Sequence, residues 1–376
     1  MGELVSAWRY LTADGVGAAA GLAVDEALML QYQQRRPSWS EGCFRLYTYR
    51  SHCALIGRYQ SLEDEVDLDR CARRGLQVSR RPTGGGAILM GAGQLGVAIT
   101  TRAPEDVAPR SLLHRYAEGV IAGLARLGIA SRFRGKNDLE VAGRKIAGLG
   151  LYLDERGALL FHASVLADLD VPLMLEVLRI PGAKLADKGI DLVADRVTTV
   201  SLELGRATTG SDLREAVKAG LVETLGIELV QDELDAAEGA HAEELARRKY
   251  SRQEWIRVRS PLRDGRGTSV LKTPEGLLRI HVAVHGKTIK SALIEGDFNT
   301  IPAGLSHLEA SLRWSHAHPK RINELVEETL SQAVLRVPTA AVADAIWEAA
   351  THALERERHG HPARASGSCY VPELEP

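Results

Sequence analysis

The most constraining feature of this sequence is a series of short apolar segments joined by tight turns, between Asp138 and Leu166. The turns are Ala142-Gly143 and Glu155-Arg156-Gly157. Short apolar runs that are separated by glycine-containing turns predict consecutive strands rather than helices. We therefore expect hairpins here, in a chain that folds around a β-sheet.

Helical patterns flank these strands in the sequence. From Ser111 to Leu127, apolar residues recur at three- and four-residue steps, which is typical of a helix with one buried face. A second such stretch runs from Leu213 to Leu225, after the capping residues Ser211-Asp212. Phe44 to Ile56 is instead rich in β-branched, aromatic and leucine residues, and predicts a strand. The sequence thus predicts an α+β fold, with a mixed sheet flanked by helices.

The length of 376 residues suggests about two domains. Residues 231–250 are strongly charged, which indicates a solvated helix that leads into a linker near residue 250. Leu278 to Phe298 alternates around the turn His285-Gly286-Lys287 and predicts a hairpin. We expect a first domain over residues 1–250, a small α+β domain over 251–335 with helices near 305–313 and 319–333, and a C-terminal helix and poorly ordered tail over 336–376.

Composition excludes several classes of function. The chain has 47 Lys and Arg against 49 Asp and Glu, a formal net charge of −2, so it offers no overall positive field for nucleic acid. No apolar run reaches the roughly 18 residues that a membrane helix needs, and we expect a cytoplasmic protein. The four cysteines have no C-x-x-C spacing and are expected to be reduced thiols: Cys43, Cys53, Cys71 and Cys369.

One glycine-rich segment has the composition of an anion-binding loop. Arg80-Arg81-Pro82-Thr83 precedes Gly84-Gly85-Gly86, so two guanidinium groups stand next to a backbone without Cβ atoms. Neither a Walker Gly-Lys-Ser/Thr nor a G-x-G-x-x-G spacing is present. A glycine-rich β-turn with surface arginines remains open as an alternative.

A second segment, residues 135–148, surrounds Lys145. This lysine follows a hairpin turn and stands between Gly143 and Gly148, where its side chain could enter a site. A lysine in a dry pocket can hold a carboxylate and a phosphate together. Asn137 and Asp138 are short polar groups suited to a nucleotide or a metal. A solvent-exposed hairpin lysine is the alternative interpretation.

Together these segments resemble the lipoate–protein ligase A family of the biotin/lipoate ligase superfamily. The motifs in chain order are R-R-P-T-G-G-G-A, then G-K-N-D-L-E-V-A-G-R-K-I-A-G, then Phe161 to Leu166, then Asp195 to Val200. The resemblance covers about residues 8–230. Tyr250 to Trp255 and Ile294 to Phe298 resemble the accessory domain of larger members and extend it to about residue 335.

The resemblance implies a two-step reaction. Lipoate is activated by ATP and Mg²⁺ to lipoyl adenylate, and the acyl group then passes to a lysine of a lipoyl-carrier domain or an H-protein-like lipoate-binding protein. No nucleic acid or membrane partner is implied. The reaction needs positioning and charge stabilisation more than a protein nucleophile.

The resemblance also implies roles for individual residues. Lys145 would be the catalytic residue that holds the lipoate carboxylate and the α-phosphate. The nucleotide side would comprise Lys136, Asn137, Asp138 and Gly148, with Asp138 on the magnesium. His162 could equally be a hydrogen-bonded core residue. The residues that would bind lipoate and its adenylate alongside Lys145 are Arg80, Thr83, Gly84, Gly85, Gly86, Ala87, His162 and Ser164.

One departure from the family pattern stands after the triple glycine. Many members continue with an aromatic-His-Asp sequence and then Gly-Asn, whereas this chain has Leu89-Met90-Gly91 and Gly93-Gln94. The change makes the pocket wall more apolar and suggests an altered acyl or acceptor preference.

Two alternatives remain. An octanoyltransferase of the same superfamily would use a cysteine thioester instead of ATP. No cysteine stands between Lys145 and Val200, which leaves a cysteine-independent or divergent octanoyl/lipoyl transferase as the alternative. A non-catalytic protein that docks lipoyl carriers is favoured only by the altered sequence after Gly86.

Overall fold

The computed structural model describes residues 6–33, 41–104, 107–134, 137–179, 196–258, 266–274, 276–298, 304–330 and 336–358. The chain divides into two compact units. The first is Met1–Ser260 with Asp297–Thr300, and the second is Pro261–Gly296 with Ile301–Pro376. The division falls some ten residues beyond the expected boundary at residue 250, because Trp255 still belongs to the first unit, where its indole N–H donates to the Arg80 carbonyl at 2.9 Å.

An eight-stranded mixed sheet forms the centre of the first unit. Its strand order is β11-β1-β2-β6-β10-β9-β8-β7. Strand β1 pairs in parallel with β2 and β11, and the other neighbours are antiparallel. The strands are β1 (Ser6–Val16), β2 (Gly42–Tyr49), β6 (Gln94–Arg102), β7 (Arg132–Arg134), β8 (Asp138–Val141), β9 (Arg144–Leu153), β10 (Ala158–Leu166) and β11 (Ile227–Gln231).

Apolar side chains point to both faces of this sheet, and both faces are buried. In β6, Leu95, Val97 and Ile99 join one apolar cluster, whereas Ala98 joins another on the opposite side. The first cluster is covered by two helices that match the predicted ones, α4 (Pro109–Arg126) and α7 (Arg214–Leu225). Helix α1 (Ala18–Leu30) covers the second. The predicted α+β architecture is confirmed.

A smaller sheet, in the order β4-β3-β5, carries the glycine-rich segment. Its strands are β3 (Cys53–Ile56), β4 (Gln77–Arg80) and β5 (Ile88–Met90), so residues 81–87 form the loop between β4 and β5. Further α-helices in the described part of the first unit are α2 (Leu62–Glu65), α3 (Leu68–Arg73), α5 (Val171–Val177), α6 (Val200–Leu204), α8 (Ala236–Leu245) and α9 (Gln253–Ile256).

The second unit is a three-stranded antiparallel sheet with helices. Strands β13 (Gly276–His285) and β14 (Thr288–Gly296) form the predicted hairpin, and β12 (Arg266–Thr273) pairs with β13. Helices α10 (Leu305–Leu312) and α11 (Pro319–Thr329) are followed by α12 (Thr339–Arg358), which packs on β12 and β13. Residues 359–376, the end of the predicted tail, lie outside the described residues. Within the described part, no helix is long and apolar enough to span a membrane.

Candidate active site

A cavity of about 90 Å³ lies between the central sheet and the loop that joins β4 to β5. Its lining includes a polar group and an apolar group of residues. Polar and glycine residues contribute Thr83, Gly84, Gly85, Gly86, Asn137, Lys145, Gly148, His162 and Ser164. Apolar and aromatic residues contribute Leu22, Tyr47, Tyr49, Leu55, Ile88 and Met90, which belong to or pack against a single hydrophobic cluster. The cavity therefore suits a ligand with one polar end and one apolar end.

Lys145 stands at the polar part of the lining. Its Nζ lies 2.6 Å from Asp138 Oδ1, and both side chains are about one-third exposed. Two backbone hydrogen bonds fix the lysine in β9: its N–H donates to the Arg196 carbonyl at 2.8 Å, and its carbonyl accepts from the Thr198 N–H at 2.8 Å. A Cβ atom at Gly148 would lie only 3.2 Å from Nζ. The glycine therefore leaves room for the lysine side chain to lie across the strand.

The glycine loop is held by close backbone contacts. Gly85 adopts φ +90°, a conformation that favours glycine. A Cβ atom at Gly57 would lie 1.9 Å from the Gly85 carbonyl oxygen, so the two backbones approach where no side chain fits. The Gly85 N–H donates to the Phe298 carbonyl at 2.7 Å. In this structure, the amide of Gly85 is thus not directed at the cavity as an anion donor.

Arg80 does not line the cavity, which corrects the expectation that it contacts the ligand. The residue is fully buried. Its guanidinium donates to five backbone carbonyls, those of Gly57, Arg58, Gln60, Trp255 and Ile256. Arg80 therefore ties the β3–α2 loop to α9.

Arg81, which was not among the predicted ligand-binding residues, lines the cavity instead. Its guanidinium donates to the carbonyls of Leu55, Gly84 and Gly86, at 2.6, 3.3 and 2.7 Å. Among the described residues no carboxylate pairs with it, and burial lowers the pKa of Arg81 to about 10. A buried cation without a counter-charge favours an anionic ligand. Successive residues of an extended chain face opposite ways, so only one arginine of the pair could face the cavity, and the sequence does not say which.

A buried polar network adjoins the cavity at His162. Its Nε2 lies 3.0 Å from Asp25 Oδ2, and its Nδ1 lies 3.4 Å from Thr83 Oγ1. Asp25 is fully buried and also accepts from Arg45 at 2.6 Å and from the Tyr47 hydroxyl at 2.8 Å. Burial favours the neutral acid, but Arg45 and His162 outweigh it, so the pKa of Asp25 lies below its ordinary value. His162 is thus both a cavity residue and a hydrogen-bonded core histidine.

The sequence signal for this network was an aspartate inside an apolar helix, Leu22-Ala23-Val24-Asp25. Such a residue must find a buried partner. Its partners Arg45 and His162 stand 20 and 137 positions away, so the sequence could not identify them.

Most of the predicted site residues come together. Met90, from the altered sequence after the triple glycine, is a buried part of the apolar wall. Asp138 contacts Lys145 without lining the cavity. Lys136 lies outside the described residues. The predicted residues found in the lining are Thr83, Gly84, Gly85, Gly86, Ala87, Asn137, Lys145, Gly148, His162 and Ser164.

No thiol lines the cavity in the part of the chain that the structure describes. Cys43, Cys53 and Cys71 are buried and unoxidised. Burial raises the pKa of Cys43 and Cys53 to about 12 and that of Cys71 to about 11. Inert thiols of this kind are not activated nucleophiles. Cys369 lies outside the described residues.

The mixed sheet and its amphipathic, lysine-bearing cavity define an enzyme of the lipoate ligase fold. The chain belongs to the family of the lipoyl protein ligase A/B catalytic domain, whose model matches residues 18–222. The resemblance expected from the sequence motifs is confirmed. The protein is accordingly an enzyme of the lipoate ligase and octanoyltransferase family.

Two curated relatives carry different activities in their names. The octanoyltransferase LipM of Symbiobacterium thermophilum is 29% identical over 66% of this chain and 97% of its own length. The lipoate-protein ligase A subunit 1 of Thermoplasma acidophilum is 30% identical over 62% of this chain and 90% of its own length. The relatives of this chain thus include both an octanoyltransferase and a lipoate ligase.

Solved structures show the same fold. A bipartite lipoate protein ligase of Thermoplasma acidophilum, described with its E2 lipoyl domain, has a TM-score of 0.60 at 30% identity, covering 67% of this chain and 96% of that one. A lipoate-protein ligase A bound with ATP has a TM-score of 0.58 at 27% identity, covering 67% and 98%. LipL1 of P. falciparum, at 16% identity, has a TM-score of 0.69 over 90% of this chain and 99% of its own.

Proposed function

We propose that the protein is an ATP-dependent lipoate–protein ligase, which forms lipoyl adenylate and transfers the lipoyl group to a lysine of a carrier protein. One observation carries the proposal: the described lining of the cavity has Lys145 and Arg81 but no thiol. A cavity with cations and without a nucleophile suits activation by adenylation, in which the protein forms no covalent intermediate.

Each step has a role for these residues. In the first step, the lipoate carboxylate attacks the α-phosphorus of ATP and pyrophosphate leaves. Lys145 neutralises the carboxylate and the phosphate that approach each other, and Arg81 supplies a second, buried positive charge near the glycine loop. In the second step, the carrier lysine attacks the acyl carbonyl, a C–N bond forms and AMP leaves. Lys145 then stabilises the oxyanion and the departing phosphate.

The residues beside Lys145 fit a magnesium ion. Asp138 offers a carboxylate and Asn137 an amide oxygen, and Mg²⁺ in nucleotide sites is held by one or two carboxylates together with substrate phosphates. When bound, the ion would neutralise charge on the phosphates. The Asn137 amide is oriented by its donation to the Leu149 carbonyl at 3.2 Å.

Two similarities support the proposal. A ligase of 27% identity was solved with ATP, and the Thermoplasma ligase was described with an E2 lipoyl domain. We therefore infer that ATP is the activating substrate and that a lipoyl-carrier domain, or an H-protein-like lipoate-binding protein, is the acceptor.

A second candidate is octanoyl transfer without ATP, which the LipM relatives favour. It would have to proceed without a thiol from the described lining of the cavity, since each described cysteine is buried elsewhere. In this candidate, the octanoyl group would pass directly from one carrier to another, and Lys145 would stabilise the negative charge that develops during transfer.

The deciding experiment is lipoate-dependent exchange of labelled pyrophosphate into ATP. We expect exchange by the wild-type protein and a loss of about 10²–10³-fold in Lys145→Ala, the effect of removing one charge-stabilising donor. Lys218→Ala is the matched control, because Lys218 also pairs with a carboxylate, Glu215, but lies on α7 and not in the cavity lining. A second arm supplies octanoyl-loaded acyl carrier and a lipoyl domain without ATP. Transfer there, with no exchange in the first arm, would establish octanoyl transfer instead.

A further inference from the structure

Four strands of the central sheet place one residue each in a single row beneath the cavity. Gly148 in β9 pairs with Ser164 in β10, Ser164 pairs with Gly96 in β6, and Gly96 pairs with Tyr47 in β2. All four line the cavity. Two of the four are glycines and a third is a serine, so the row carries little side-chain bulk as far as Tyr47, and we call it the channel.

The length of this channel matches an acyl chain. Neighbouring strands are about 4.8 Å apart, so Gly148 and Gly96, two strands apart, are separated by about 10 Å. The Lys145 ammonium group lies over Gly148, where an added Cβ would be 3.2 Å away. With C–C bonds of about 1.5 Å, an extended eight-carbon chain spans about 9 Å. A carboxylate at Lys145 therefore brings the eighth carbon to the near edge of Gly96, against the side chain that covers this glycine.

Tyr47 closes the channel at that point. A Cβ atom at Gly96 would lie 2.8 Å from the Cε2 and Cζ atoms of the Tyr47 ring, so the ring rests directly on the glycine. A ninth or tenth carbon would meet the ring.

The Tyr47 ring is also fixed in place. Its hydroxyl donates to Asp25 at 2.8 Å, and the Arg45 guanidinium lies 4.1 Å above the ring. Tyr49 packs edge-on against it, with the ring centroids 5.5 Å apart. Rotation of the ring would leave the fully buried Asp25 short of a donor, which is costly. The other apolar lining residues there, Leu22 and Met90, have no such polar attachment and can repack around a ligand.

We propose that Tyr47, held by Asp25 and Arg45, is the specificity-determining residue that limits the acyl substrate to about eight carbons. The inference rests on the proposed function only in taking the ligand to be an acyl chain, and it applies equally to lipoate ligation and to octanoyl transfer. Lipoate and octanoate both have eight-carbon chains, whereas longer fatty acids are excluded.

The test is calorimetric binding of straight-chain acids of six, eight, ten and twelve carbons to the full-length protein. In the wild-type protein we expect affinity to rise about fourfold per methylene up to eight carbons, the hydrophobic gain of a buried CH₂ group. It then falls at least tenfold for ten carbons. In Tyr47→Leu the channel is longer, so we expect the affinity for the ten-carbon acid to be at least that for the eight-carbon acid. Tyr47→Phe keeps the ring and its packing against Arg45 and Tyr49 but loses the bond to Asp25, so the loss of affinity above eight carbons should remain and be smaller.

Two results would overturn the inference: wild-type affinity that continues to rise from eight to twelve carbons, or the same fall after eight carbons in Tyr47→Leu. Binding of none of the acids by the wild type would overturn it too. If circular dichroism shows that Tyr47→Leu does not fold, Tyr47→Met, which is closer in volume, makes the same comparison. Failure of the proposed function gives a distinct outcome, in which acids bind with the expected limit but no pyrophosphate exchange follows.

Discussion

A single carboxylate, Asp25, organises one wall of the cavity. Arg45 and Tyr47 from β2 and His162 from β10 all bond to it, and none of its surface is exposed. Buried charges are tolerated only when they are paired and fully hydrogen-bonded. Removing the charge leaves Arg45 buried without its counter-charge.

We predict that Asp25→Asn lowers the free energy of unfolding by about 3–5 kcal/mol at pH 7, measured by urea denaturation. Because the pKa of Asp25 is lowered in the folded protein, its stabilisation is complete above the unfolded pKa of about 3.9 and is lost as the pH falls through the folded pKa. The difference between wild type and variant should therefore shrink below about pH 4. Glu223→Gln is the control: its exposed pair with Arg126 should be worth less than about 1 kcal/mol. Equal losses in both variants would refute the role of Asp25.

Individual site residues could be predicted only where the signal was local. Lys145 stood between glycines that make room for its side chain, and the structure places it in the cavity. The two arginines were adjacent and chemically identical, and their roles depend on five carbonyls contributed by residues 57–60 and 255–256. No local pattern encodes such distant acceptors, which is why Arg80 was expected to bind the ligand, whereas Arg81 is the arginine found in the cavity lining.

At the level of elements, helices α4 and α7 pack with their backbones in close contact. A Cβ atom at Gly220 would lie 2.2 Å from the Gly123 nitrogen and 2.4 Å from the Gly119 carbonyl oxygen. No rotamer can relieve a contact between Cβ and backbone, so any larger residue forces the helices apart.

Gly220→Ala should destabilise the protein by about 1–3 kcal/mol, the usual range for overpacking, as judged by the urea midpoint. Gly239→Ala is the matched substitution in α8, where nothing lies within 4 Å of an added Cβ. Since alanine is the better helix former, that variant should gain about 0.5–1 kcal/mol. Stabilisation by both variants would show that the helices can separate without loss.

The helices were predictable to within a few residues because their apolar spacing is local. Ser111 to Leu127 was expected and Pro109–Arg126 is observed. Strand β1, Ser6–Val16, escaped prediction although it is the longest strand of the sheet. Arg9 and Asp14 interrupt its apolar pattern, and its parallel partners β2 and β11 are distant in sequence. Sheet order depends on such non-local pairings, so it could not be derived from the spacing of residues.

At the scale of the whole molecule, the second unit has its own sheet and its own buried residues. Within it, α12 lies so close to β12 that a Cβ atom at Gly267 would be 1.9 Å from the Ala349 carbonyl oxygen. The helix was expected in a separate C-terminal segment, but the three-strand pairing brings it onto this sheet. The hairpin was local and predictable, whereas the helix that covers it begins at Thr339, well beyond the end of the hairpin at Gly296.

Gly267→Ala should lower the unfolding temperature of the second unit by several degrees, because the helix must shift away from the sheet. Scanning calorimetry would measure this change. The first unit contains every residue of the cavity lining, so octanoate should bind the variant as it binds the wild type. Loss of octanoate binding in a variant whose first unit is still folded would contradict this prediction.

The contact between Phe298 and Gly85 limits where the chain can be shortened without damage to the first unit. The chain passes from one unit to the other at residues 260/261, 296/297 and 300/301, so neither unit is a continuous stretch of sequence. A protein shortened at Ser260 would lack Phe298, whose side chain is buried and whose carbonyl accepts the Gly85 N–H. Gene truncation therefore cannot yield the intact first unit, whereas a single proteolytic cut between residues 258 and 266 would leave all of its residues in place.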